Sequence, residues 1–272
     1  MPALEAGPRG APLVVLLHGF PDLPLTWRRQ VGPLAAAGFR VVAPELRGYG
    51  SSPKPAGIGS YRIDLLVGDV AAVVRAEGAR TAAAVVGHDW GGAIAWNVPR
   101  YAPGLAERIV ILNSPHPKAL LRDFQTLRQL RRSWYMFFFQ LPALPEALLR
   151  RDGYAGLSRL LARALRGDPG RAALIAQYRQ AWSEPGAMTA ALNYYRAAFR
   201  CRAPRPPGKF DLPALLIWGE KDPHLGVRLT EGLDAWVHDL RIERIPDAGH
   251  WVHLDSPDRV NDRILRFLRT NG

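Results

Sequence analysis

At roughly 100–200 residues per domain, the 272-residue chain predicts one large domain, or one domain with a substantial insertion. Its 48% hydrophobic and 22% charged residues exclude a disordered chain, and no apolar run reaches the ~18–20 residues of a membrane span. A net charge of +12 raises nucleic acid, an anionic membrane surface or acidic substrates as partners. Four lysines and 32 arginines scattered from Arg9 to Arg269 do not form a phosphate-binding stripe, so no nucleic-acid partner is expected. Its densest cluster, Arg128, Arg131 and Arg132 with Arg150 and Arg151, reads as solvated helix faces. The single Cys201 makes no internal disulfide and no Cys/His spacing suggests zinc, so neither metal nor cofactor is expected.

The opening MPALEAGPRG carries Pro, Glu and Gly where a secretory leader needs a basic start and an apolar stretch, which predicts a cytoplasmic protein. Short runs rich in Val, Leu and Ala then alternate with helical stretches, the pattern of a parallel sheet covered on both faces. The predicted strands are Leu13–Leu17, Arg40–Ala43, Ala82–Val86, Arg108–Leu112, Ala214–Trp218 and Leu240–Ile245. A helix over Tyr61–Ala76 places Ile63, Leu66, Val70, Val73 and Val74 on one face. Strand signals vanish from Pro115 to about Phe210, a region bracketed by Ser114–Pro117 and by the proline-rich 203–208. This predicts a helical cap, residues 115–210, inserted into an α/β core of residues 1–114 and 211–272. Ser256 as N-cap, Pro257 in the first turn and Val260, Ile264 and Phe267 on one face predict a closing helix.

The chemistry concentrates where Val85-Val86 runs into Gly87-His88-Asp89-Trp90-Gly91-Gly92. This is the spacing of a nucleophile elbow, with aspartate where serine hydrolases carry serine. Side chains at Gly87 and Gly91 would clash in so sharp a strand-to-helix turn, and the helix N-terminus favours an ionised carboxylate. Asp89 suits displacement at saturated carbon, giving an alkyl ester that water must cleave; the alternative is a plain helix N-cap. Asp222, after the strand ending at Trp218, and His250, in Gly249-His250-Trp251, follow in the chain order nucleophile, acid, histidine. A histidine oriented by a carboxylate deprotonates water; either residue alone also reads as an ordinary loop residue. His18-Gly19-Phe20-Pro21 supplies a tight loop whose Phe20 N–H, with that of Trp90, is assigned to an oxyanion hole, while His18 braces the loop.

With these segments the sequence resembles the epoxide hydrolases of the α/β-hydrolase superfamily, the aspartate-nucleophile branch related to haloalkane dehalogenases. Arg47–Ser52, Asn113–Pro117, Ser133–Pro142 (SWYMFFFQLP) and Leu192–Arg196 (LNYYR) carry the resemblance further. It implies an α/β-hydrolase fold and two cap tyrosines, Tyr135 and Tyr195, that protonate the epoxide oxygen, with a small-molecule epoxide and water as reactants. Without it, the aromatic clusters read as packing. Trp90, Phe138 and Phe139 are expected to line an apolar substrate pocket, with Trp134, Phe137 and Trp182 as cap core or lining. Relatives usually have two further strands before the HGFP loop, whereas only Met1–Pro12 precede the strand at Leu13, so the sheet is expected to lack its first hairpin and to leave an edge unpaired. A haloalkane or haloacid dehalogenase using the same three residues is the rival enzyme, though it lacks need of the tyrosines. A non-catalytic small-molecule-binding protein is the rival of another class.

Overall fold

The computed structural model describes residues 2–201 and 209–270. Seven strands form one sheet: β1 Ala3–Ala6, β2 Leu13–Leu17, β3 Arg40–Pro44, β4 Ala84–His88, β5 Ile109–Leu112, β6 Ala214–Gly219 and β7 Leu240–Ile245. Their order is β1-β3-β2-β4-β5-β6-β7, with β1 antiparallel to β3 and every other pair parallel. The chain passes from β2 to β3 on one side and then crosses back over β2 to β4. The crevice between β2 and β4 is therefore the switch point of the sheet, where open α/β folds build their sites at the carboxyl ends of strands.

Helices α1 Arg28–Ala36, α2 Ile63–Ala76 and α3 Trp90–Tyr101 connect the first strands. Between β5 and β6 the described residues are helical: α4 Pro117–Asp123, α5 Leu127–Arg132, α6 Trp134–Phe138, α7 Leu144–Ala164, α8 Arg171–Ser183 and α9 Ala187–Arg200. Positive φ values at Asp152, Gly153 and Tyr154 break α7. Two short elements, α10 Val252–Asp255 and α11 Pro257–Arg269, close the chain. The pleat sorts the strands between two cores. Leu13, Val15 and Leu17 face α2 and α3, whereas Val14, Leu16, Val86, Val110 and Ile217 pack with α1 and with Val260, Ile264 and Phe267 of α11.

Three expectations need correction. The Met1–Pro12 segment holds one strand, β1, which pairs the edge of β3, while among the described residues no second strand precedes Leu13 to complete a hairpin; Arg40 of β3 is ion-paired to Glu5 and, at 2.8 Å, to Glu77. Its four residues, one of them charged, are too short for alternation to announce them. Two strands and a helix are offset: β4 starts at Ala84, with Ala82 forming only an isolated bridge to Ala106, β5 starts at Ile109, and α2 begins at Ile63 after a single tight turn over Ile58–Tyr61. Ser256 makes no side-chain capping bond, and α11 relies on Pro257 and Asp258 in its first turn. The proline-rich exit from the cap, residues 203–208, lies outside the described residues.

Glycine decides the approach of α3 to the sheet. A Cβ on Gly91 would stand 2.0 Å from the Leu17 carbonyl oxygen, and one on Gly87 would stand 2.1 Å from that of Gly91. Gly91→Ala is therefore expected to destabilise by about 3 kcal/mol or to prevent folding, because only backbone could yield. Gly68→Ala, in the exposed interior of α2 with nothing within 4 Å, is expected to stabilise by about 0.5–1 kcal/mol. Denaturant unfolding of the two variants checks the contrast.

Candidate active site

Every residue singled out for the triad stands at the carboxyl end of a parallel strand. Asp89 follows β4, Asp222 follows β6 and His250 follows β7. Asp89 has φ 51° and ψ −116°, a backbone that L-residues rarely adopt, and its side chain caps nothing in α3. The strained turn is held by the close glycine contacts beneath it. The plain N-cap alternative thus fails on geometry.

The Phe20 N–H donates to Asp89 Oδ1 at 2.8 Å. One of the two amides assigned to an oxyanion hole thus reaches the group that would carry the oxyanion, and the Trp90 amide, next in sequence, works with it to lower the carboxyl's pKa. Gly19 makes this approach possible, since a Cβ there would lie 2.4 Å from Asp89 Cβ. His18 braces the loop as expected: it accepts from the Leu46 N–H at 3.1 Å and donates through Nδ1 to the Gly19 carbonyl. Burial lowers its pKa to about 4, so it stays neutral.

His250 bridges the two acids. Its Nδ1 lies 2.7 Å from Asp222 Oδ2 and its Nε2 3.8 Å from Asp89 Oδ2. Burial works to lower its pKa, but the charge and hydrogen bond of Asp222, aided by Asp89 and Asp22, push it up to about 9. Burial likewise opposes the charge on Asp222, yet His250 and a set of hydrogen bonds hold its pKa below the usual value. The Asn113 Nδ2 donates to Oδ2 at 2.9 Å, and the N–H groups of His224 and Leu225 donate to Oδ1 at 2.7 and 2.9 Å. With His250 this fills all four acceptor sites of the carboxylate, which fixes it as an orienting anion. For Asp89, burial raises the pKa against the pull of His250 and the two amides.

Tyr135 and Tyr195 both line a cavity of about 420 Å³ that also reaches Asp89 and Trp90. Their ring centroids are 6.0 Å apart, and Tyr195 packs edge-on against Trp90 at 5.0 Å and Phe20 at 5.6 Å. Burial and the Asp89 charge raise both phenols above their ordinary range, so both remain protonated donors. The neighbouring Tyr194 is engaged elsewhere, its hydroxyl donating to the Arg47 carbonyl at 2.6 Å. Arg196, next in sequence to Tyr195, donates to the carbonyls of Phe139 and Leu141 at 3.0 and 2.7 Å and pairs with the buried Glu146 at 2.7 Å. One guanidinium thus ties α9 to the turn after α6 and sets the two tyrosines relative to each other.

Trp90 lines the cavity as expected, but Phe138 and Phe139 do not. The five-residue α6 turns Tyr135 and Met136 toward the cavity, leaving Phe139 packed beneath Tyr195 at 5.0 Å and Phe138 against Trp134 at 5.8 Å. Trp134 and Phe137 are exposed, and Trp182 is cap core, its indole donating to the Pro21 carbonyl. The sequence reasoning missed three contributors. Asn113 carries only the signal of a polar residue ending an apolar strand. His224 is two residues beyond Asp222 and stands edge-on to Tyr135 at 5.5 Å. Asp22, directly after the HGFP loop, is fully buried, accepts from the Trp251 indole and the Tyr178 hydroxyl, and lies 3.7 Å from His88. Burial pushes its pKa up to about 7. Among the described residues no group of three His, Cys, Asp or Glu side chains is placed to hold a metal ion, and no helix is long and apolar enough to cross a membrane.

Since Arg196–Glu146 is buried and holds both phenol-bearing elements, Glu146→Gln is expected to cost about 3–5 kcal/mol by leaving Arg196 without its counter-charge. Thermal unfolding beside a Glu184→Gln control, exposed and without an ion-pair partner among the described residues, measures it.

Comparison with known proteins places this geometry in a family. Residues 12–257 match the family described as alpha/beta hydrolase fold. The chain is 37% identical over 266 residues to an AB hydrolase superfamily protein of Bacillus subtilis, covering 97% of this chain and 92% of that one. It is 35% identical over 273 residues to epoxide hydrolase 4 of Mus musculus, covering 98% of this chain and 75% of that one. The crystal structure of an epoxide hydrolase from Bacillus megaterium, 31% identical, superposes with a TM-score of 0.87 over 98% of this chain and 96% of that one. The chain belongs to the α/β-hydrolase family and, within it, to the epoxide hydrolases.

Proposed function

We propose that this enzyme hydrolyses apolar epoxides to vicinal diols in two steps, through an alkyl ester on Asp89. The observation that carries the proposal is the joint presence in one cavity of a carboxylate and two protonated phenols, with a charged histidine directly behind the carboxylate. Residues 115–210 act in it as a cap that supplies the phenols, and residues 1–114 and 211–272 as the core that supplies the rest.

In the first step an Asp89 oxygen attacks an oxirane carbon, the carbon–oxygen bond breaks, and Tyr135 or Tyr195 delivers a proton to the departing oxygen. A phenol suits this because the oxygen grows far more basic as its bond breaks. In the second step water adds to the ester carbonyl, giving up a proton to His250. The developing oxyanion meets the N–H groups of Phe20 and Trp90, each such donor being worth on the order of 10²–10³ in rate. Collapse expels the alkoxide, which takes the proton of the added hydroxyl, so that the diol leaves, the Asp89 carboxylate is restored and His250 is again cationic. Apolar lining such as Trp96, Leu120, Phe124 and Met136 favours an aryl or alkyl substituent on the oxirane.

The charges explain how one histidine serves both steps. With pKa about 9 in the free enzyme, His250 is cationic at neutral pH and keeps Asp89 ionised for attack. Alkylation erases the Asp89 charge, one of the groups that raise His250. Its pKa then falls, it gives up its proton through solvent to the phenolate left by the first step, and it becomes a base when a base is needed. The phenols disfavour a dehalogenase, which has no oxygen to protonate.

Replacing His250 by Gln is expected to slow ester hydrolysis by roughly 10²–10⁴, so that the protein incubated with styrene oxide gains one substrate mass on the Asp89 peptide. Absence of that adduct across a broad panel of epoxides refutes the two-step scheme. The double variant Tyr135→Phe/Tyr195→Phe should lose about 10²–10⁴ in the rate of alkylation while hydrolysing a preformed ester at close to the parent rate; single-turnover mass spectrometry separates the two. In a pH series, the His250 ring should titrate near 9 by NMR in free enzyme. The pH dependence of ester hydrolysis should show its midpoint lower, and an equal or higher midpoint contradicts the charge-relief account.

A further inference from the structure

The cap presents a surface that catalysis does not explain. Of the ten large hydrophobic residues exposed among the described residues, eight lie in the cap: Leu121, Leu127, Trp134, Phe137, Leu141, Leu144, Leu148 and Phe199. Trp134 is 61% and Leu127 73% exposed. The aromatic members are joined through neighbouring rings. Phe137 packs against Phe124 and Phe199 at 5.6 and 5.4 Å, and Trp134 against Phe138, which shares a cluster with Leu149 at the start of α7. Leu121, Phe124 and Phe199 also line the catalytic cavity, so the exposed members among them mark its mouth.

Exposed charge along this stretch is almost all positive, the nearest exposed acid being Asp152, which pairs with Arg151 at 3.6 Å. From Lys118 to Arg151 the only acids are Asp123 and Glu146, both buried and both ion-paired to arginine. The exposed charged side chains of the same stretch are Arg128, Arg131, Arg150 and Arg151, and the first three have no ion-pair partner among the described residues. A second copy of the chain seated here would bring these arginines against themselves. A surface of anionic phosphates complements them, while tryptophan, phenylalanine and leucine enter the acyl boundary, the combination by which peripheral proteins lie on membranes.

We propose that the cap docks through this face on a bilayer containing anionic phospholipids, with the mouth of the cavity turned toward the lipid. Docking does not depend on the reaction assigned above, and its failure leaves that reaction untouched. The full chain is floated with vesicles of phosphatidylcholine alone and with vesicles of equal parts phosphatidylcholine and phosphatidylglycerol. Partitioning should be at least tenfold greater onto the mixed vesicles and should be lost in high salt, which screens the arginines. Arg128→Gln/Arg131→Gln/Arg150→Gln and, separately, Trp134→Ser/Leu144→Ser should each lower it tenfold or more, with diol production from a water-dissolved epoxide unchanged. Three results overturn the proposal. The chain shows no preference for the mixed vesicles; the variants bind as the parent does, which assigns the attraction to net charge elsewhere; or no vesicle binds and Trp134→Ser/Leu144→Ser dissociates a dimer seen by sedimentation, which gives the face to a second copy.

Discussion

A single hydrogen bond, from the Phe20 amide to the Asp89 carboxylate at 2.8 Å, spans the crevice between β2 and β4, and the site is assembled around it. It exists because the sheet reverses its strand order there, leaving a gap into which two loops reach from neighbouring strands. It requires that no side chain intervene, which is why Gly19, Gly87 and Gly91 meet other backbone or Asp89 at distances no Cβ allows. The positive φ of Asp89 follows from the same crowding. Strain at Asp89 is thus sustained by packing beneath it, in the α3 and sheet interface, which is among the most deeply buried parts of the molecule.

Electrostatics then divide the histidines. His18, His88 and His253 are fully buried with pKa values driven down, so they serve as neutral hydrogen-bonding spacers. Only His250 is raised, because it alone has a fully hydrogen-bonded carboxylate on one nitrogen and a second carboxylate near the other. The distinction rests on neighbours rather than on depth, since all four are buried. Asp22 belongs to the same buried system, and its carboxylate, held by Trp251 and Tyr178, adds to the negative potential that favours a charged His250.

Among the attachments that couple the cap to this core, three reach the loops of the site. The Tyr194 hydroxyl reaches the Arg47 carbonyl, the Trp182 indole reaches the Pro21 carbonyl, and Tyr178 reaches Asp22. Each joins a cap helix to a loop at the carboxyl edge of the sheet, so the tyrosines that enter the cavity are referenced to the loops beside Asp89. Within the cap, Arg196 performs the corresponding task between α9 and α6.

Asp89, Asp222 and His250 were legible in the sequence because their context is local: a glycine-flanked turn after an apolar strand, and loops directly after two more strands. The central strands of the parallel sheet were legible for a similar reason, since full burial on both faces demands apolar runs of Val, Leu, Ile and Ala; β7, at the sheet's edge and largely exposed, reads LRIERI. Tyr135 and Tyr195 were legible only through family resemblance, because nothing in an aromatic cluster separates a proton donor from packing. Asn113, His224 and Asp22 acquire their roles by contact across 109, 2 and 229 positions of sequence with Asp222 and Trp251, so two of the three depend on strand order, which no local pattern encodes. Helix phase over the five residues of α6 decided that Phe139 supports Tyr195 instead of lining the cavity, and pairing with β3 decided that Ala3–Ala6 is a strand. Residue types and their spacing determined the chemistry available to the chain, while distances between side chains remote in sequence decided which groups share a proton, because electrostatic and hydrogen-bond energies fall off over a few ångströms.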